Sequence, residues 1–344
     1  MILDNKKILL IRLSALGDVV FNIPLANLLK KNGASVHWLV SEKGFDIINN
    51  NPCIDRVILA PIEKWKKNKN KIENFFEYLK IIKEIRAQNY DIALDTQLIL
   101  KSFIWTFFCK AKRRIVSKSA REGAIFAGNE VIEPLFNDYT THAVDNYFKY
   151  AKYLGLNTTA AIKTLPVVPI ETQKKVEKLL SSIDKTKPTL TIAPATTWNN
   201  KHWNRDYWRE LVSRIDKNKY NIVFVGTKKD NNLISYITEN KFLNLTGKTN
   251  LLELLEVFKH SDILLSLDSG STHLGWLSDK PKIISIFTCT PKDRYCPIGQ
   301  EHIALQGKLP CQPCHRKKCP RHTNECTNYP LVEEVLEKLE KISI

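Results

Sequence analysis

An uninterrupted apolar run, Ile8-Leu9-Leu10-Ile11, stands near the start of the chain, breaks at Ser14-Ala15-Leu16-Gly17-Asp18 and passes into an apolar-periodic stretch that reaches Leu28. A strand with no polar face must be covered on both sides, and the helix that follows supplies one cover. The unit recurs. Strands are expected near 36–40, 56–60, 91–95 and 114–117, separated by helical stretches such as 72–86. Alternation of this kind means a parallel sheet wrapped by helices. A second series starts beyond the proline-bearing segment 166–169, with strands expected at 189–193, 221–225, 263–267 and 282–287. Helices are expected between them at 171–180, 204–216, 231–239 and 251–258. The chain of 344 residues therefore divides into residues 1–165, residues 166–330 and a closing amphipathic segment, 331–344, that docks on one of the two. Ligands of such sheets bind beyond the carboxyl ends of the strands, so two facing α/β halves offer an interdomain cleft.

Composition narrows the partners. At 43% hydrophobic and 26% charged residues the chain can bury real cores. Its imbalance is in charge: 52 Lys and Arg against 36 Asp and Glu leave +16. That suits nucleic acid, an anionic membrane face or a phosphorylated substrate. Residues 64–121 hold 15 basic and 5 acidic side chains, and residues 305–322 hold 5 basic and no acidic ones, so two segments carry +15 of the surplus. The run at 8–11 is too short for a signal-peptide core. The longer stretch 98–109 is broken by Lys101 and closed by Lys110, Lys112, Arg113 and Arg114. It reads as a helix on a membrane surface or as a buried flank of the sheet, and not as a span. A cytoplasmic location is expected, where eight cysteines do not make a disulfide framework.

Neither a G-x-G-x-x-G fingerprint nor a G-x-x-x-x-G-K-[ST] loop is present, which disfavours a NAD dehydrogenase and a P-loop ATPase. Phosphates can still be held by helix N-termini and hydroxyls. Three expected strand ends supply such groups. Asp18 sits at the mouth of the first helix, where capping and a role as a base are equal readings. The stretch Ala195-Thr196-Thr197-Trp198-Asn199-Asn200-Lys201 offers two hydroxyls and an ammonium, although a plain surface loop has the same look. Asp268-Ser269-Gly270-Ser271-Thr272-His273 opens a helix whose free backbone N–H groups suit a diphosphate.

Taken in order and spacing, Arg12 to Asp18, Ala195-Thr196-Thr197 with Lys201-His202-Trp203, and Asp268 to Leu274 resemble the signatures of the ADP-heptose:lipopolysaccharide heptosyltransferases of glycosyltransferase family 9. The likeness spans nearly the whole chain. It takes in Arg56-Val57-Ile58, Lys64-Trp65-Lys66-Lys67, Tyr90-Asp91, Asp95-Thr96-Gln97, Lys101-Ser102, Ala120-Arg121-Glu122 and His142-Ala143-Val144, a set most like heptosyltransferase I. The resemblance implies a GT-B fold of two facing Rossmann-like domains, the first for the acceptor and the second for the ADP-sugar. It implies that Asp18 takes the proton of the acceptor hydroxyl as that oxygen attacks the anomeric carbon with inversion. Thr196, Thr197 and Lys201 would hold the diphosphate, with Ser269 and Gly270 adding donors. Asp230 would meet the adenosine ribose, Asp268 the heptose hydroxyls, and His273 would complete the donor site. Arg12, Ala15, Lys64, Lys66, Lys67, Gln97, Lys101 and Arg121 would face the acceptor. Donors of this kind stabilise departing ADP without a metal, so no catalytic cofactor is implied. The implied partners are ADP-heptose, a Kdo-lipid A type acceptor and the anionic inner face of the cytoplasmic membrane, with the chain peripherally attached there and no nucleic acid expected.

Two features depart from that pattern. Lysines stand at 64, 66 and 67 where relatives carry arginines, and lysine lacks the bidentate fork that matches a carboxylate. Cys311, Cys314, Cys319 and Cys326 fall in a loop, 311–326, that also holds His315 and His322. Their spacing is that of a metal knuckle, which would hold a structural Zn or Fe, but a set of reduced loop thiols is the reading preferred. Trp208 is expected to be buried on its helix, Trp198 or Trp203 to border the nucleotide, and His142 to be structural. The rival readings are another family 9 transfer, at a different core position as in heptosyltransferase II or on another glycan, and a nucleic-acid-binding protein with a cysteine knuckle. The latter leaves the three strand-end motifs without a purpose.

Overall fold

The computed structural model describes residues 2–158 and 163–342. Positions 1, 159–162 and 343–344, the last pair closing the expected docking segment, lie outside the described residues. The chain forms two compact units, Met1–Val167 and Val168–Ile344. In the first, strands β1 (Lys7–Ile11), β2 (Ser35–Ser41), β3 (Arg56–Ala60), β4 (Ile92–Asp95), β5 (Arg113–Ser117) and β6 (Glu130–Ile132) form one sheet in the order β3-β2-β1-β4-β5-β6. Every pairing is parallel. Ile8 to Ile11 are wholly buried, which is why the central strand has no polar alternation. The helices are α1 (Leu16–Lys31), α2 (Glu42–Asn49), α3 (Ile62–Lys67), α4 (Lys71–Ala87), α5 (Leu100–Phe108) and α6 (Ala143–Tyr153).

The second unit repeats the plan. Strands β7 (Thr189–Ala193), β8 (Asn221–Phe224), β9 (Leu243–Asn244), β10 (Ile263–Leu267), β11 (Lys282–Phe287) and β12 (Ile303–Gln306) pair in parallel in the order β12-β11-β10-β7-β8-β9. Its helices are α7 (Ile170–Leu179), α8 (Arg205–Arg214), α9 (Asn231–Thr238), α10 (Leu251–Lys259), α11 (Gly270–Ser278), α12 (Lys292–Tyr295) and α13 (Val332–Lys341). Helix α13 packs on α8 and sinks Val332, Val335 and Leu339 into the core that holds Trp208, Leu211 and Ile215. Full burial of such a side chain contributes about 1.5–3 kcal/mol, so three anchors hold a short helix. Trp203 and Trp208 meet edge to face at 4.9 Å. Strands β6, β9 and β12 were not expected. They are short sheet edges whose residues are mostly half-exposed, so nothing in their patterning demanded two covered faces.

Candidate functional site

In each sheet the first strand lies at the point where the winding reverses. The chain runs from β1 to β2 and β3 on one side and returns to β4, β5 and β6 on the other. Loops leaving β1 and β4 therefore diverge and leave a crevice at their carboxyl ends, and β7 and β10 do the same in the second unit. The residues singled out from the sequence fall largely at these two points.

At the first, Asp18 lies in the opening turn of α1. Its carboxylate is not used as a helix cap. One oxygen pairs with Arg12 Nη2 and the other accepts a hydrogen bond of 3.0 Å from Tyr147 Oη on α6. Each oxygen keeps a lone pair for a further donor. Arg12 is 6% exposed and also donates to the Thr96 carbonyl. Burial works against its charge, but Asp18, together with Tyr147 and Asp95, outweighs burial and holds the guanidinium above its ordinary pKa. Gln97 ties the two loops together, its Oε1 accepting from the backbone N–H groups of Leu13 (3.1 Å) and Ser14 (3.0 Å). Asp95, buried at the end of β4, shapes that turn by accepting from the N–H groups of Gln97 and Leu98. Lys101, on the first turn of α5, donates to Ser14 Oγ at 2.7 Å. Burial, with Lys66 and Arg12 nearby, lowers its pKa.

The remaining acceptor-side candidates lie further out. Lys64 pairs with Glu77 of α4 at 3.0 Å, and Lys66 with Glu63 at 3.0 Å. Ala15, Lys67 and Arg121 are exposed. The structure thus brings Arg12, Asp18, Gln97 and Lys101 together and sets Lys64 into the contact between α3 and α4. His142 is the N-cap of α6, its Nδ1 accepting from the Val144 N–H at 3.2 Å, which is the structural role expected of it.

At the second point Asp268, 3% exposed at the end of β10, is the hub. Its carboxylate pairs with Lys201 Nζ at 2.7 Å, accepts from Thr290 Oγ1 at 2.6 Å and lies 3.5 Å from His273 Nε2. Burial disfavours the charged form, but Lys201 and His273 outweigh it and hold the carboxyl well below the usual range. A carboxylate shared in this way anchors Lys201 and His273. Thr196 Oγ1 donates to the Asp268 carbonyl at 3.2 Å, binding the loop after β7 to the end of β10. Trp198 lies against Lys201, whose Nζ is 4.7 Å from the ring centroid. Thr197 is exposed. Ser269 is the N-cap of α11 but makes no capping bond, and its Oγ is buried without a partner. A buried hydroxyl beside the unpaired N–H groups of a helix start is a ready anion cradle. Gly275 lets α11 lie this close to the sheet, since a Cβ there would stand 2.3 Å from Leu264 Cδ2. Asp230 lies in the turn after β8, the strand beside β7, where its Oδ2 accepts from the Thr227 N–H and Oγ1 at 2.7 and 2.8 Å. Trp203 is buried, with its Nε1 donating to the Pro330 carbonyl at 2.8 Å, so Trp198 alone of that pair stands beside Lys201.

Cys311, Cys314, Cys319 and Cys326 border one cavity of about 20 Å³, space for a single ion or water. The thiols do not form a uniform thiolate set. Backbone N–H groups, that of Asn324 foremost, hold Cys319 below its ordinary pKa, whereas burial pushes Cys326 up to about 12. Among the described residues no three His, Cys, Asp or Glu side chains stand in an arrangement that could hold a metal ion.

Tyr147 and Thr290 escaped the sequence reading. Tyr147 is 129 positions from Asp18, and nothing local marks it. Thr290 follows β11 closely, so a search of every strand end for hydroxyls finds it.

The sequence profile of glycosyltransferase family 9 (heptosyltransferase) matches residues 78–324. Lipopolysaccharide heptosyltransferase 1 of Campylobacter coli is 28% identical over 308 residues, 84% of this chain and 85% of that protein. Its counterpart in Pseudomonas aeruginosa is 24% identical over 327 residues, 93% of this chain and 89% of that protein. Among solved structures, a family 9 glycosyltransferase of Veillonella parvula superposes with a TM-score of 0.80 at 20% identity, covering 99% of this chain and 98% of that one. The Escherichia coli heptosyltransferase WaaC with ADP gives 0.74 at 21% identity, covering 98% and 100%. At these identities the superpositions establish the fold, two parallel α/β sheets of the GT-B type.

Proposed function

This chain belongs to glycosyltransferase family 9, and we propose that it moves L-glycero-D-manno-heptose from ADP-heptose to the Kdo region of an inner-core lipopolysaccharide acceptor, with inversion, at the cytoplasmic face of the inner membrane. In the reaction the bond between the anomeric carbon and the diphosphate oxygen breaks, the acceptor oxygen bonds to that carbon, and the acceptor proton passes to the Asp18 carboxylate. ADP leaves. Arg12 and Tyr147 aim the carboxylate, each from one oxygen. Lys201, the N-terminus of α11 and Ser269 take up the charge that grows on the leaving diphosphate. The observation that carries the reading is the Lys201–Asp268 anchor beside the buried, unpartnered Ser269 hydroxyl at the start of α11. It is an anion cradle at one sheet's switch point, matched by an oriented carboxylate at the other's.

Purified chain incubated with ADP-heptose and Kdo-bearing lipid A should yield product heavier by one heptose, with a β-to-α or α-to-β change at its anomeric carbon visible by NMR. No product with this acceptor, but product with an acceptor that already carries a heptose, would replace the acceptor and keep the donor.

A further inference from the structure

Helix α4 carries two apolar stripes. Ile81, Ile82 and Ile85, with Tyr78, pack into the core. Ile72, Phe75, Phe76 and Leu79 form a second stripe at helical spacing, and they are 70%, 58%, 64% and 43% exposed. Burial of the first stripe explains why the helix folds onto the sheet. It does not explain the second. Helix α5 packs against α4 and turns Phe107 and Phe108 outward, 47% and 44% exposed. The turn Ala124–Ala127 packs in turn against α5 and presents Phe126 at 78% exposure. All five exposed phenylalanines among the described residues thus lie on three adjoining elements. A concentration of this kind marks an interaction surface.

Charge decides the partner. The acids of α4 are largely consumed: Glu77 by Lys64 and Trp65, and Glu84 by Arg56. Lys80 and Lys83, one turn beyond Phe76 and Leu79, are exposed, as are Lys110 and Lys112 beyond α5. Apolar rings rimmed by lysines, in a segment of net charge +10, complement a bilayer that carries acidic headgroups. We infer that the α4–α5 face of the first unit docks on an anionic phospholipid bilayer, its phenylalanines entering the boundary between headgroups and acyl chains. This deepens, and rests on, the reading that the acceptor is borne by a lipid. Position supports it, because the first turn of α5 carries Lys101 onto the Ser14 loop while its last turn carries Phe107 and Phe108, about 9–10 Å further along the axis.

The test separates docking from catalysis. The full chain is sedimented with acceptor-free vesicles of phosphatidylglycerol and phosphatidylethanolamine, with vesicles of phosphatidylcholine, and at low and high salt. The parent should bind the acidic vesicles and be released by salt. The pairs Phe75→Ser/Phe76→Ser and Phe107→Ser/Phe108→Ser should each weaken binding at least about tenfold. Transfer to a water-soluble, delipidated acceptor should stay at the parent level in both. No binding by the parent, equal binding to phosphatidylcholine, or unchanged binding in both variants would overturn the inference. So would a dimer in sedimentation velocity that the Phe75→Ser/Phe76→Ser pair dissociates, since the face would then be covered by a second copy. Absence of transfer to the soluble acceptor by the parent itself would overturn the reading of function and leave the vesicle result standing.

Discussion

Replacing Asp268 by Asn tests whether the second switch point is organised around one buried charge. The substitution keeps the shape and an oxygen able to accept from Thr290, but it removes the charge that Lys201 meets at 2.7 Å. Breaking a buried pair by neutralising one partner costs about 3–5 kcal/mol. The Lys201 side chain is 16% exposed and retains a route to water, which places the expected cost near the lower end, about 3 kcal/mol. In a unit of this size that is a fall of about 6–12 °C in Tm. The pH dependence follows from the depressed pKa of the folded state. Such a carboxylate contributes its full stabilisation above the unfolded value, about 3.9, and loses it as the pH falls through the lower, folded one. The gap between parent and variant should therefore be constant from pH 7 to about pH 5 and close below about pH 4. Melts followed by circular dichroism, with ADP titrated calorimetrically, read both effects. ADP binding should weaken because Lys201 has lost its anchor, and the double variant Lys201→Met/Asp268→Asn should recover part of the lost stability. A variant that melts within about 1 °C of the parent at pH 7, or a gap unchanged at pH 3, would refute the placement of the charge.

Four further outcomes are expected. Asp18→Asn should lower kcat by about 10²-fold or more and leave ADP affinity within twofold, since it removes the proton acceptor and nothing on the donor side; full turnover would remove Asp18 as the base. Tyr147→Phe deletes one hydrogen bond to that carboxylate and should lower kcat about tenfold with little change in Tm, and a loss confined to KM would argue against an orienting role. His142→Ala should cost about 1 kcal/mol by uncapping α6 while activity per folded molecule stays constant, which thermal melts and active-site titration separate. Elemental analysis of chain purified without chelators should find well under one equivalent of zinc or iron; one equivalent that disappears in Cys326→Ser would show that the four thiols close on an ion.

The parts of the fold that were legible beforehand share a physical cause. Ile8 to Ile11, Ile263 to Leu267 and Lys282 to Phe287 are central strands covered on both faces, and double cover forces an apolar run that no helix of that length would need. The edge strands β6, β9 and β12 have one neighbour each and half-exposed residues, so no composition marks them. Site residues divide in the same way. Asp18, Thr196, Asp268 and Ser269 directly follow central strands and inherit their legibility. Tyr147 comes to Asp18 from α6, and no local pattern predicts a partner across that distance in the chain.

What the sequence determined by itself was the family, the two wound sheets and the strand ends at which chemistry is placed, because each of these is written in runs of consecutive residues. Tertiary structure alone decided how the charges are spent. It turned Asp18 from a helix cap to Arg12 and Tyr147, made Asp268 the counterion of Lys201, paired Lys64 with Glu77, and left the phenylalanines of α4 and α5 facing water. Pairing and exposure depend on which side chains meet within a few ångströms, and that is settled only when distant segments pack.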